Sequence, residues 1–155
     1  MLLINPFKAL RPIKKQARQI STPNPIYFNN LKFYSKFGYL KILTSKNLAQ
    51  SKKYFKKMKN EKLITKEIKD CYYIYKISNK NHQQIGIMGK VDLNKYDNKS
   101  ILGHEETFKN RVSERKRQIL NISTQIGPIY TAYKYNKYLQ NFLTKITKLK
   151  PIYSF

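Results

Sequence analysis

Cysteine is nearly absent: Cys71 stands alone among 155 residues, so no disulfide can close within the chain. Histidine is almost as scarce, and Cys71, His82 and His104 together fall short of the four ligands of a structural zinc site. No stretch approaches the ~18 consecutive apolar residues that a membrane-spanning helix needs, which removes the membrane as a partner. The opening Met1-Leu2-Leu3-Ile4-Asn5-Pro6-Phe7 contains a proline and no small-residue cleavage site, so it does not read as a signal peptide. A reducing cytoplasm is the expected compartment. Acid is the other scarcity. Eight Asp and Glu face 32 Lys and Arg, for a formal net charge of +24.

Such a charge points to a polyanion partner. Only five of the bases are arginine, however: Arg11, Arg18, Arg111, Arg115 and Arg117. Lysine, Asn, Ile, Tyr and Phe are plentiful, and all are spelled by AT-rich codons, so nucleotide bias is an equal explanation. The distribution is more informative. Residues 1–60 carry fourteen bases and no acid, residues 61–114 carry ten bases and all eight acids, and eight further bases follow Glu114 with no acid. The middle third resembles an ordinary domain surface between two lysine-coated flanks. Nucleic acid is therefore expected to bind only weakly and without specificity, since arginine is scarce and the tyrosines read as strand residues.

With apolar residues at 41%, the length suits one domain with one packed core. Asn5–Pro12 is too short between its prolines for a helix and reads as extended. Ser21–Pro25 is a turn cluster, and Ile26–Leu43 carries a strand of unclear register. Ser45 caps a helix to about Leu63, with Leu48, Phe55 and Met58 on one face and Lys52, Lys53, Lys56, Lys57 and Lys59 on the wet side. Cys71–Ile77 and Gln84–Val91 form an antiparallel hairpin across the polar turn Ser78–Gln83. Asp92–Asn98 is a loop. A helix follows from Lys109 to about Thr124, then a strand over Gly127–Tyr133 with Pro128 at its start. A last helix spans about Asn136 to Leu149, and Ile152–Phe155 begins one more strand. The pattern is α+β, a mixed or antiparallel sheet with flanking helices, and an incomplete piece of a larger fold.

The densest set of reactive side chains is His104-Glu105-Glu106-Thr107 followed by Arg111 and Arg115. A zinc protease would need a second histidine four residues after the first, and Phe108 stands there. What remains is an imidazole, carboxylates, a hydroxyl and two guanidiniums at a helix start, where free N–H groups favour anions. Glu105 or His104 suits a base toward a hydroxyl, and arginines suit bidentate phosphate recognition. On spacing alone a capping arrangement, with Thr107 as N-cap and the arginines on the wet face, outweighs a site. Three of the five arginines nevertheless fall within 111–117, in a chain that otherwise writes positive charge as lysine. An RNA-facing arginine helix is the competing account.

Pro6-Phe7-Lys8-Ala9-Leu10-Arg11-Pro12 is similar to the first motif, Pro-Phe-Arg-Ala-Leu-Arg-Pro, of the bacterial and archaeal domain-of-unknown-function family 1015. That family's central His-Glu-x-Thr, six residues, then Asp-Arg is matched by His104, Glu105, Thr107 and Arg115, with Glu114 in place of the Asp. Its later small-residue Pro-Ile/Val-Phe/Tyr segment is matched by Gly127-Pro128-Ile129-Tyr130 and Tyr133, while Tyr73-Ile74-Tyr75, Gly86, Asp92 and Tyr96 fit the hairpin before it. The chain departs at Asn24-Pro25-Ile26, where the family continues Pro-Tyr-Asp, and it lacks the family's later Asp-Gly-His-His-Arg motif.

That later motif resembles the phosphate-handling Gly-x-His-Arg of ParB/sulfiredoxin-like folds, some of which are free-serine kinases. The resemblance thus implies an N-terminal portion, derived from a small-molecule (amino-acid hydroxyl) phosphotransferase and inactive alone. It implies His104 and Glu105 as catalytic residues, and Thr107, Arg111, Arg115 and Arg11 as substrate or phosphate ligands. A complete form would use a nucleotide or other phosphate donor with Mg, and a separately encoded C-terminal half is the partner implied. A small basic nucleic-acid-binding or ribosome-associated protein is the rival reading. On the first reading, His104, Glu105, Thr107 and Arg115 should converge on one pocket at the mouth of a sheet.

Overall fold

The structure, a computed structural model, describes residues 4–20, 38, 39, 42, 47–97, 100–103 and 107–154, with backbone only at 18, 19 and 97. The turn cluster at Ser21–Pro25, the Ser45 cap and nearly all of the strand expected over Ile26–Leu43 lie outside these residues. The chain divides into two compact units. One gathers Met1–Ala9, Glu67–Glu105 and Pro128–Ser154, and the other gathers Leu10–Lys66 and Glu106–Gly127.

In the first unit, the β-prone tyrosines and isoleucines after Cys71 make β4 (Tyr73–Ser78), which turns back into β5 (Gln83–Met88). The register runs from Tyr73 opposite Met88 to Ser78 opposite Gln83. Asn79 builds the turn, its side-chain oxygen accepting from the N–H groups of Asn81 at 3.0 Å and His82 at 2.7 Å. The opening residues are tied to this hairpin. β1 (Ile4–Asn5) pairs antiparallel with β6 (Lys90–Val91), and Phe7 bridges Cys71. The Tyr73 hydroxyl accepts from the Ala9 N–H at 3.0 Å and donates to the Phe7 carbonyl at 3.1 Å, while the two rings meet edge to face at 5.1 Å. Tyrosine is needed at that position, because a phenylalanine would leave both groups without this partner.

Asp92–Asn98, expected as a loop, contains a short helix, α3 (Asn94–Asp97). α5 (Lys137–Ile146) packs on β5 and buries Leu143 completely, and Asn136 caps it by accepting from the Leu139 N–H at 2.9 Å. The strand expected over Gly127–Tyr133 is not formed, nor is one at Ile152–Ser154. Gly127 sits at a φ of +84°, Pro128 has no N–H to donate, and the following tyrosines stand exposed instead of pairing.

In the second unit, β2 (Leu10–Pro12) pairs antiparallel with β3 (Ile64–Lys66), placing Arg11 opposite Thr65. A 3-10 turn, Lys14–Gln16, leads into α1 (Ala17–Ile20). α2 (Leu48–Asn60) is capped by Asn47, whose side chain accepts from the Gln50 N–H at 3.2 Å. Ser51, Phe55 and Met58 recur on one stripe and are buried, the Ser51 hydroxyl donating to the Ile42 carbonyl at 3.0 Å. The lysines occupy the wet side as expected, with Lys59 over the Phe55 ring at 4.4 Å. Met58 accepts from the Leu63 N–H across a left-handed Lys62 (φ 53°), which ends the helix.

The core of this unit is Ile20, Ile42, Phe55, Met58, Leu63 and Ile122. Ile122 closes α4 (Lys109–Ile122), where Asn121 also donates to the Leu48 carbonyl at 2.6 Å. The class is α+β. The strands, however, form three separate two-stranded antiparallel ladders rather than one sheet among the described residues.

Candidate functional site

α4 has an unequal distribution of contacts along its length. Its last turns carry the half-buried Gln118, Ile119 and Asn121 and the buried Ile122, whereas every residue from Lys109 to Arg117 is exposed. Packing therefore anchors the C-terminal end and leaves the first two turns in solvent. Arg111 and Arg115, four residues apart, lie on the same side of this free portion, one turn above the other. The Arg115 guanidinium donates to the Gln118 side-chain oxygen at 3.3 Å, a contact within the helix that steers the fork without neutralising it. No acid stands in the first turn, so the N–H groups and dipole of the helix start are not offset there.

Thr107 is exposed directly before this helix, but it is not the cap. Phe108 takes the N-cap position with φ −62° and ψ 121°, and among the described residues no side chain closes the helix start. The capping arrangement that spacing favours is thus replaced by an uncapped end, because a phenyl ring has no acceptor to offer the free N–H groups. His104 and Glu105 lie outside the described residues. Arg11 is on β2, opposite Thr65, on an element different from α4. The structure therefore brings together Arg111 and Arg115, sets Thr107 at the same helix start, and places Arg11 on a separate strand.

Among the described residues no group of three His, Cys, Asp or Glu could hold a metal ion, and no helix is long and apolar enough to cross a membrane. Cys71 is half-buried, its thiol turned toward the Lys69 carbonyl at 3.5 Å. Sequence reasoning assigned the tyrosines to strands, and the segment that carries most of the later ones forms none. Tyr130, Tyr133, Tyr135 and Tyr138 are exposed together with Lys134 and Lys137, and the interleaving of the two residue types was the signal available for this exposure.

No curated protein and no solved structure matches the chain at a significant level. One family does, the "Protein of unknown function (DUF1015)" family, whose model matches residues 33–155. The matched span contains the His104, Glu105, Thr107 and Arg115 motif and the Gly127–Tyr133 segment, and begins after the Pro6–Pro12 motif. With most of its length matched, this chain belongs to the DUF1015 family.

Proposed function

We propose that the segment from His104 to Arg115 handles a phosphate group, in a fold derived from a small-molecule phosphotransferase whose acceptor is an amino-acid hydroxyl. The observation that carries this reading is the pair Arg111 and Arg115 on one side of the exposed, uncapped start of α4. Two guanidinium forks and free helix N–H groups suit a tetrahedral oxyanion. Thr107 adds a hydroxyl donor, and His104 or Glu105 serves as base toward the acceptor hydroxyl. Arg11 is an additional phosphate ligand on this reading. The phosphate donor is a nucleotide with Mg, and turnover requires an Asp-Gly-His-His-Arg-type motif in addition to these residues. The chain alone binds without turning over, in the cytoplasm.

Calorimetric titration with inorganic phosphate and with ATP and Mg tests this. Charge-assisted hydrogen bonds of this kind are worth about 1.5–3 kcal/mol, so Arg115→Ala should weaken binding by about 10- to 100-fold, and Arg111→Ala similarly. Equal affinities for the parent chain and both variants would remove the phosphate site.

A further inference from the structure

The run Tyr130-Thr131-Ala132-Tyr133-Lys134-Tyr135-Asn136-Lys137-Tyr138 takes no part in the proposed phosphate chemistry. Residues with such β propensity normally bury their rings against a neighbouring strand. Here the four tyrosines are 71, 51, 77 and 86% exposed, in chain order. They are nevertheless held in place. The Gln84 side chain on β5 donates to the Tyr130 hydroxyl at one end, and Asn136 starts the well-anchored α5 at the other. α5 in turn packs on β5 and buries Leu143 completely. The segment that carries the tyrosines is thus tied at both ends while its rings stay open to solvent.

Charge chooses among the partners such a row could take. Lys134 and Lys137 sit between the rings, Lys145, Lys148 and Lys150 follow, and no acid occurs after Glu114. An acid-free lysine field repels basic surfaces and attracts a polyanion. The aromatic residues are tyrosines, whose hydroxyls tolerate water while their π faces stay available, and this favours stacking over burial in a dry protein interface. Exposed aromatic faces alternating with cations are what sequence-tolerant single-strand binding requires: the bases stack while the ammonium groups follow the phosphates.

We propose that Tyr133, Tyr135 and Tyr138, with Lys134 and Lys137, form a platform for single-stranded RNA that binds without sequence preference. It shares no residue with the phosphate site on α4 and uses a different chemistry. Stacking makes the binding outlast the loss of the purely ionic component, which the lysine count alone would not do.

Fluorescence anisotropy with a labelled oligouridylate of about 12 nucleotides provides the test. Tyr135→Ala and Tyr138→Ala should each weaken binding by about five- to 100-fold, whereas Tyr135→Phe retains it, since the ring and not the hydroxyl stacks. Lys134→Gln should lower the log–log salt slope by about 0.7 and Lys137→Gln likewise. The double variant Lys52→Gln with Lys53→Gln, which removes as much charge from α2 as both platform lysine variants together, should leave the affinity unchanged. Because the altered side chains are exposed, the variants should keep the parent's circular dichroism spectrum and melting temperature. Three results would each overturn the proposal: tyrosine variants that bind like the parent, heparin competing as well as RNA, or an affinity that follows total charge wherever the lysines are removed. Self-association lost in Tyr138→Ala, with no RNA binding, would assign the surface to a second copy of the chain instead.

Discussion

Gly86 lies directly opposite Tyr75 in the β4–β5 ladder, and the Tyr75 ring occupies the space that a Cβ on Gly86 would fill. The glycine is buried under that ring. Gly86→Ala must therefore displace the tyrosine, and forcing an extra methyl group into packed space costs about 1–3 kcal/mol. Alanine is itself better than glycine in a strand by about 0.5–1 kcal/mol, so the net destabilisation should be about 1–2 kcal/mol. For a chain of this size that corresponds to a fall in melting temperature of roughly 2–8 °C. Thermal unfolding followed by circular dichroism would show it, and a double-mutant cycle isolates the cause. In a Tyr75→Ala background the ring is gone, and Gly86→Ala should become neutral or slightly stabilising, giving a coupling of about 1.5–3 kcal/mol. If Gly86→Ala destabilises both backgrounds equally, the ring does not cover the glycine and the Tyr75–Gly86 register is refuted.

Two further substitutions probe the two units separately. Leu143→Ala removes the fully buried side chain that fastens α5 and should cost about 2–5 kcal/mol in urea denaturation; an unchanged midpoint would mean that α5 is not anchored there. Lys62 holds a left-handed conformation that glycine adopts freely, so Lys62→Gly should raise stability by about 0.5–1 kcal/mol after allowing for the greater freedom of glycine in the unfolded chain. A lower melting temperature would contradict the left-handed helix end.

Local signals located the hairpin, whose β-prone runs flank a polar turn, and α2, α4 and α5, whose boundaries fall within a few residues of the expected ones. They did not single out Asn47 as the cap of α2, because only the finished helix shows that its oxygen meets the Gln50 N–H. They missed β3 and α1, since a three-residue strand and a four-residue helix carry too little periodicity to stand out. At the site, the paired arginines were legible from their spacing alone. The role of Thr107 was not, because which residue stands at the cap depends on where the helix starts, and here Phe108 takes that position.

The sequence by itself determined what neighbouring residues decide together: the helical stripes, the hairpin turn at Asn79, the two basic flanks and the motif that places the chain in its family. Tertiary structure decided what depends on a distant partner. Leu10–Pro12 is a strand only because Ile64–Lys66 lies beside it, more than fifty residues later, while Gly127–Tyr133 has comparable β propensity and forms no ladder. A strand, unlike a helix, satisfies its backbone groups across the chain rather than along it, so its existence is a property of the pair.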